Sequence, residues 1–164
     1  MLAATLALFA VTISTSLSSV TVQALSRERV VLPRDLTQPA VLVAGFTKAS
    51  RAETEPWASR LRSDPRAAKT QIYEVSILDG VPGFLRGMIL SQMKSGIAPA
   101  RQERFLIVTE SIDAWKRTLG ADGNDDHAHL ILVQRSGAVV WRSHGALTES
   151  SYQDLMRAIE NLKP

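Results

Sequence analysis

Hydrophobic positions along the chain form short apolar runs separated by stripes with helical spacing. The runs, some continuous and some alternating with polar residues, predict strands at 40–47, 71–78, 104–109, 127–134 and 138–142. Apolar residues three and four apart predict helices at 49–62, 84–93, 111–119 and 148–162. Pro56 lies inside the first helical stripe, so that helix either begins near Glu55 or bends at the proline.

The order of these elements predicts the fold class. Each of the first three strands is followed by a helix, which is the pattern of parallel β-α units. The last two strands are separated only by Arg135, Ser136 and Gly137, which is too short for a parallel crossover and therefore predicts a hairpin. We expect an α/β fold in the order β-α-β-α-β-α-β-β-α, with a mixed sheet and helices on both faces.

The chain is expected to have three parts. Residues 1–24 contain no charged side chain, are apolar at first and then rich in Ser and Thr, which predicts a signal peptide cleaved before Leu25 or an N-terminal anchor. Residues 25–39 are expected to be an irregular lead-in with a short edge strand at 30–32, and residues 40–164 the folded domain. The protein is therefore predicted to be exported, periplasmic or extracytoplasmic, and membrane-anchored if the segment is retained.

Composition narrows the function further. The chain has no cysteine, which excludes disulfides, thiol catalysis and thiolate metal sites. Its formal charge of +3 comes from basic residues scattered among acidic ones, and neither a basic stripe nor an aromatic platform is present, so nucleic acid is not an expected partner.

Residues 41–61, VLVAGFTKASRAETEPWASRL, resemble the strand, active-site corner and first helix of the thioredoxin-like superfamily. When this stretch is aligned with that pattern without gaps, the positions of the family's two cysteines fall near Arg51 and Thr54. The resemblance therefore implies a corner without its redox pair. The family also places a cis-proline before the first hairpin strand, and the stretch 125–130, DDHAHL, has none.

A more specific resemblance covers roughly residues 40–162. The pieces VLVAGFTKAS, YEVSILDGVPGFLRGMILSQMKSGI, AWKRTLG and HAHLILVQRSGAVVWRSHGALTE resemble the mitochondrial ATP synthase assembly-factor family and its bacterial exported relatives. The resemblance implies a non-redox binding or assembly factor for a membrane-associated complex, with a protein partner, no cofactor and no catalysed reaction. It supplies no catalytic residue to carry over.

The main alternative is an enzyme, metal-dependent or not, that works without thiols and uses either the strand-helix corner after Phe46 or the His127/His129 pair. His127 and His129 alternate along a predicted strand beside Asp125 and Asp126, and His144 could supply a third ligand to a metal. In the other interpretation both histidines make ordinary hydrogen bonds at the end of the strand. The pair is therefore a weak metal candidate.

Two further features are candidate contact surfaces. Ser50, Arg51 and Thr54 at the corner could hold an anion at a helix N-terminus, or Thr47 and Ser50 could simply cap that helix. The apolar helix at 83–97, with Phe84 and Met88, is either core or a surface for a partner, since methionine-containing surfaces can repack around varied partners. A corner that binds nothing, left as a structural remnant, is the third possibility.

Overall fold

A computed structural model describes residues 15–162. Within them lies a seven-stranded sheet in the order β2-β1-β5-β4-β3-β6-β7. The strands are β1 Val20–Ala24, β2 Arg29–Leu32, β3 Ala40–Gly45, β4 Gln71–Ile77, β5 Phe105–Val108, β6 His129–Val133 and β7 Val139–His144. The helices are α1 Arg51–Ser63, α2 Gly83–Gly96, α3 Pro99–Gln102, α4 Ile112–Leu119 and α5 Glu149–Glu160, and a 3₁₀ turn covers Pro65–Ala67.

The centre of the sheet is built as the sequence predicts. Strands β3, β4 and β5 are parallel neighbours, β6 pairs antiparallel with β3, and β7 pairs antiparallel with β6. The turn between β6 and β7 contains Gly137 at φ 91°, a conformation that favours glycine. The predicted mixed α/β sheet with its terminal hairpin is confirmed, and the short edge strand β2 is present as expected.

Each face of the sheet carries its own core. One cluster joins Leu42 and Ile131 to Trp115 and Leu119 of α4. The other cluster, on the opposite face, joins alternate residues of β3 and β6 to Trp57 of α1 and to buried residues of α5. Among the described residues no helix is long and apolar enough to cross a membrane.

The N-terminal boundaries differ from those predicted. Residues 1–14 lie outside the described residues, but Val20–Ala24 forms β1, which pairs with β2 along its length and with β5 at Gln23 and Ala24. Leu17, Val22 and Ala24 are buried in the sheet's first core. The end of the proposed signal segment and the lead-in are therefore parts of one folded unit, because their alternating residues supply one face to that core. Signal cleavage remains a prediction, and cleavage before Leu25 would remove β1.

Two other elements correct the sequence-based expectations. Helix α1 continues through Pro56, because Trp57, Ala58 and Leu61 beyond it are all buried and hold that part of the helix against the sheet. The short helix α3 and the 3₁₀ turn were not predicted, since each is too brief to produce a hydrophobic period.

Candidate binding sites at the strand ends and on helix α2

The corner after β3 is closed by close packing and local hydrogen bonds. Ser50 is 2% exposed and lies over Gly45, where an added Cβ atom would clash with the serine oxygen. The Ser50 hydroxyl donates to the Thr47 carbonyl at 2.7 Å, and the Ser50 N–H donates to the Thr47 hydroxyl at 3.1 Å. Thr47 thus fixes the turn before α1, and Ser50 has no free hydroxyl to offer a ligand.

The start of α1 is also poorly arranged for an anion. The N–H groups of Arg51, Ala52 and Glu53 each have a backbone acceptor within the turn, at 3.0 to 3.3 Å. Arg51 is exposed, whereas Thr54 is half-buried with its methyl group near Gly45. The structure therefore does not bring Ser50, Arg51 and Thr54 together around a common point.

Glu53 in the first turn of α1 ties the corner to the loop before β6. Its carboxylate accepts the Ala128 N–H at 2.9 Å and contacts His127 Nδ1 at 3.1 Å. The Thr47 hydroxyl makes a second link to the same loop by donating to the Asp126 carboxylate at 2.6 Å. A negative side chain is favourable at this end of a helix, so the same residue stabilises α1 and holds the loop.

The two candidate histidines have different environments and separate partners. His127 precedes β6 and is half exposed, whereas the His129 side chain is 4% exposed and its Nε2 lies 2.9 Å from Asp125. His129 instead stacks on its cross-strand neighbour His144, with 6.2 Å between ring centroids and 22° between planes. Stacked rings do not aim their nitrogens at one point. Among residues 15–162 no group of three His, Asp or Glu side chains could hold a metal ion.

Charge stabilises the pairings in this loop. The hydrogen bond to Glu53, followed by the charge of that carboxylate, raises the pKa of His127. Burial alone would raise the pKa of Asp125, but hydrogen bonds from the His129 ring and the His127 N–H hold it below its usual value. The His129 Nδ1 atom is buried and has no partner among the described residues.

Helix α2 is the largest departure from ordinary core packing. None of its fourteen residues is buried, Phe84 is 84% exposed and Met88 is 55% exposed. Only its inner side touches the sheet, where Leu90 and Met93 pack on a small cluster with Ile107. The exposed residues define what we call the α2 face: Gly83, Phe84, Gly87, Met88, Ser91, Gln92, Lys94, Ser95 and Gly96. The interpretation of this helix as core is wrong, and its alternative, an exposed apolar surface, is what the fold presents.

Sequence reasoning missed the structural role of Glu53 and a second ionic cluster. Glu74, with a side chain 9% exposed, receives Arg62 at 2.7 Å and Arg101 at 2.8 and 2.9 Å, and Glu55 joins through Arg101 at 3.1 Å. Arg62, Glu74 and Arg101 line a cavity of about 600 Å³, and its lining contains three arginines and three acidic residues. A single charged residue at the centre of the strand QIYEVSI was the only signal available in the sequence.

The comparisons with known proteins identify the fold of the chain and do not identify its function. No protein-family model matches the chain, and no curated protein is significantly similar to it in sequence. The thioredoxin domain of a thiol-disulfide oxidoreductase from Bacteroides vulgatus superposes with a TM-score of 0.59 at 13% identity, over 89% of this chain and 96% of that one.

Two other solved structures give the same result. A member of the Sco family of cytochrome c oxidase assembly proteins has a TM-score of 0.59 and 13% identity, over 90% of this chain and 93% of its own. An exposed lipoprotein thioredoxin from Streptococcus pneumoniae has a TM-score of 0.56 and 10% identity, over 85% and 98%. Such identities establish the fold alone. The chain has a thioredoxin-like fold, seen in thiol-disulfide oxidoreductases and in Sco proteins, and its sequence contains no cysteine.

Proposed function

We propose that this protein is a non-redox, exported, thioredoxin-like binding or assembly factor that contacts a subunit of a membrane-associated complex through the α2 face. The single observation that carries the proposal is the exposure of that face. Phe84 and Met88 lie in solvent on a helix with no acidic residue, and large apolar side chains grouped on a surface mark interaction sites.

The composition of the α2 face supports a protein partner. Interface centres are enriched in aromatic residues and methionine and depleted in charge. Lys94 is the only charged residue among the nine that form this face. Methionine adapts its shape to its neighbours, which suits a factor that binds a subunit before that subunit reaches its final packing.

The corner supports a binding role more than a catalytic one. Thiol exchange needs a thiolate nucleophile, and by resemblance the cysteine positions of thioredoxin-like proteins fall near Arg51 and Thr54. Around them Ser50, Glu53 and Thr47 are engaged in hydrogen bonds within the protein. One of the solved neighbours is described as a member of a family of assembly proteins, and the resemblance to the ATP synthase assembly-factor family points in the same direction.

Chemical crosslinking in membranes followed by pull-down tests the proposal. The wild-type chain and a control with Ser59→Glu, an exposed residue of α1, are expected to recover the same membrane-complex subunits. Phe84→Glu should reduce that recovery at least ~10-fold, because a carboxylate at the centre of an apolar contact must be desolvated without a partner. Recovery of nothing above background, or equal recovery by Phe84→Glu, would contradict it.

A further inference from the structure

The α2 face pairs large side chains with small ones in a pattern that is complementary to itself. Phe84 and Met88 lie toward the N-terminal end of the face, and Ser91 and Ser95 lie at the matching distances toward the C-terminal end. A helix wheel places all four on the same side, since positions three, four and seven apart share one face. The geometry points to a second copy of this chain as an occupant of the α2 face, packed antiparallel across a two-fold axis.

A two-fold axis between positions 89 and 90 brings the right sizes together. Positions equidistant from that point then face each other, so Phe84 lies opposite Ser95 of the second copy and Met88 lies opposite Ser91. A two-fold axis generates each pair twice, so the interface contains two contacts between Phe84 and Ser95 and two between Met88 and Ser91. In a parallel pair, by contrast, Phe84 would meet Phe84.

The charges favour the same arrangement. In the antiparallel pair the two Lys94 residues are nine helical positions apart along the axis, about 14 Å at the helical rise, which exceeds the Debye length of ~8 Å in physiological salt. In a parallel pair they would be adjacent and repel. The helix dipoles also oppose each other favourably when the two helices run in opposite directions. Nothing on the α2 face is acidic, so the register of such a pair is set by the fit of its side chains and not by an ion pair between the two faces.

The extent of the contact sets its strength. One helix pair buries less surface than the ~1,200–2,000 Å² typical of stable complexes, so we expect a dissociation constant on the order of 1–100 μM. Such a dimer covers Phe84 and Met88 in the absence of another partner and releases them when one binds. The inference rests on the α2 face of the proposed function but concerns the purified protein alone, so the two can fail separately.

Sedimentation equilibrium of the full chain tests the pairing by exchanging a large residue with its small counterpart. Phe84→Ser leaves two small residues opposite each other and should raise the dissociation constant at least ~10-fold, as the loss of a central aromatic does. Adding Ser95→Phe to that variant exchanges the two partners and should restore the dissociation constant to within about threefold of wild type, since the large-to-small pairs are rebuilt. Adding Ser59→Phe instead places the ring on α1 and should restore nothing.

The outcomes separate self-pairing from its alternatives. A wild-type chain that stays monomeric, a dimer indifferent to Phe84→Ser, or equal behaviour of the two double variants would overturn the inference. Because Phe84, Ser95 and Ser59 are exposed, all variants should keep the thermal unfolding midpoint of wild type when it is measured below the dissociation constant, where every chain is monomeric, which shows that folding is intact. A monomeric wild type that still recovers membrane subunits would refute the dimer and leave the proposed function standing.

Discussion

Helices α1 and α2 occupy equivalent places in the fold and have opposite relations to solvent. Each connects two neighbouring parallel strands, α1 between β3 and β4 and α2 between β4 and β5. Helix α1 buries Trp57, Ala58 and Leu61, whereas no residue of α2 is fully buried. Helix α5 explains part of the difference, because it packs beside α1 and completes the core around Trp57. Nothing described covers the outer side of α2, although α2 is the more apolar helix.

The contrast shows that an apolar stripe does not by itself specify burial. An amphipathic helix puts its apolar side on the core, as α1 does, whereas a helix that is apolar on most sides is expected to be covered all round. Helix α2 carries apolar residues on both sides, so the sheet can cover only one of them. The uncovered side is available for another molecule.

The largest difference should appear when one aromatic residue is truncated in each helix. Trp57→Ala should lower the free energy of unfolding by ~3–5 kcal/mol, because Trp57 is fully buried and its indole N–H donates to the Gly145 carbonyl at 3.0 Å. Phe84→Ala should change it by less than ~0.5 kcal/mol, as exposed substitutions do. Urea denaturation of both variants measures this. A loss above ~2 kcal/mol for Phe84→Ala would mean that α2 is core after all.

The ionic anchor of α1 should have the next largest effect. Glu74→Ala leaves Arg62 and Arg101 without their buried acceptor, which in a fully buried pair costs ~3–5 kcal/mol. Both arginine side chains are about a quarter to a third exposed and can turn toward water, so we expect a loss of only ~2 kcal/mol. Glu149→Ala breaks the exposed pair with Arg60 and should lower the free energy of unfolding much less than Glu74→Ala does in the same denaturation assay. Equal losses of unfolding free energy in Glu74→Ala and Glu149→Ala would contradict the claim that the buried acceptor contributes more than the exposed pair.

The contact between α1 and the loop before β6 should appear as a pH dependence. Because Glu53 raises the pKa of His127 above its unfolded value of ~6.5, the stabilisation is fully present below about pH 6.5 and is lost as pH rises through the folded pKa. An NMR titration should therefore give His127 a higher pKa in wild type than in Glu53→Gln. Identical titration curves in the two proteins would show that the contact between Glu53 and His127 does not form in solution.

The smallest signal is expected from metal analysis. His127 and His129 have separate carboxylate partners and His129 stacks on His144, so the chain should carry less than ~0.1 equivalent of zinc or copper after purification, well below the occupancy of a folded metal site. Elemental analysis measures this directly. A stoichiometric metal that survives dialysis would favour the thiol-independent enzyme over the binding protein.

Much of the fold could be predicted because its signals are local. The run Ala40–Gly45 is buried throughout and is apolar throughout, and Thr148 caps α5 with Ser151 as its spacing suggests. Strand β1 was missed because its alternating sequence, VTVQA, follows a long apolar and Ser/Thr-rich segment that has the features of an export signal. The composition of this region predicted an export signal, and the polar-apolar alternation of β1 is too short to have predicted a strand against it.

The contact residues could be predicted only in part because they depend on distant parts of the chain. Glu53 and His127 are 74 positions apart, and no spacing connects them. Phe84 and Met88 were identifiable as a candidate surface, but the sequence cannot show whether another helix covers them, since a covered and an uncovered apolar stripe have the same period. Their exposure follows from the position of α5, which packs on α1 and not on α2.

The most direct test of the account is site-specific photo-crosslinking in the cell. A photoreactive phenylalanine replaces Phe84 on α2 in one variant and the exposed Ser59 on α1 in another. We predict discrete adducts from position 84, with a membrane-complex subunit or with a second copy of the chain, and none from position 59. Adducts of equal yield from both positions, or none from position 84, would contradict the claim that the α2 face is the binding surface of this protein.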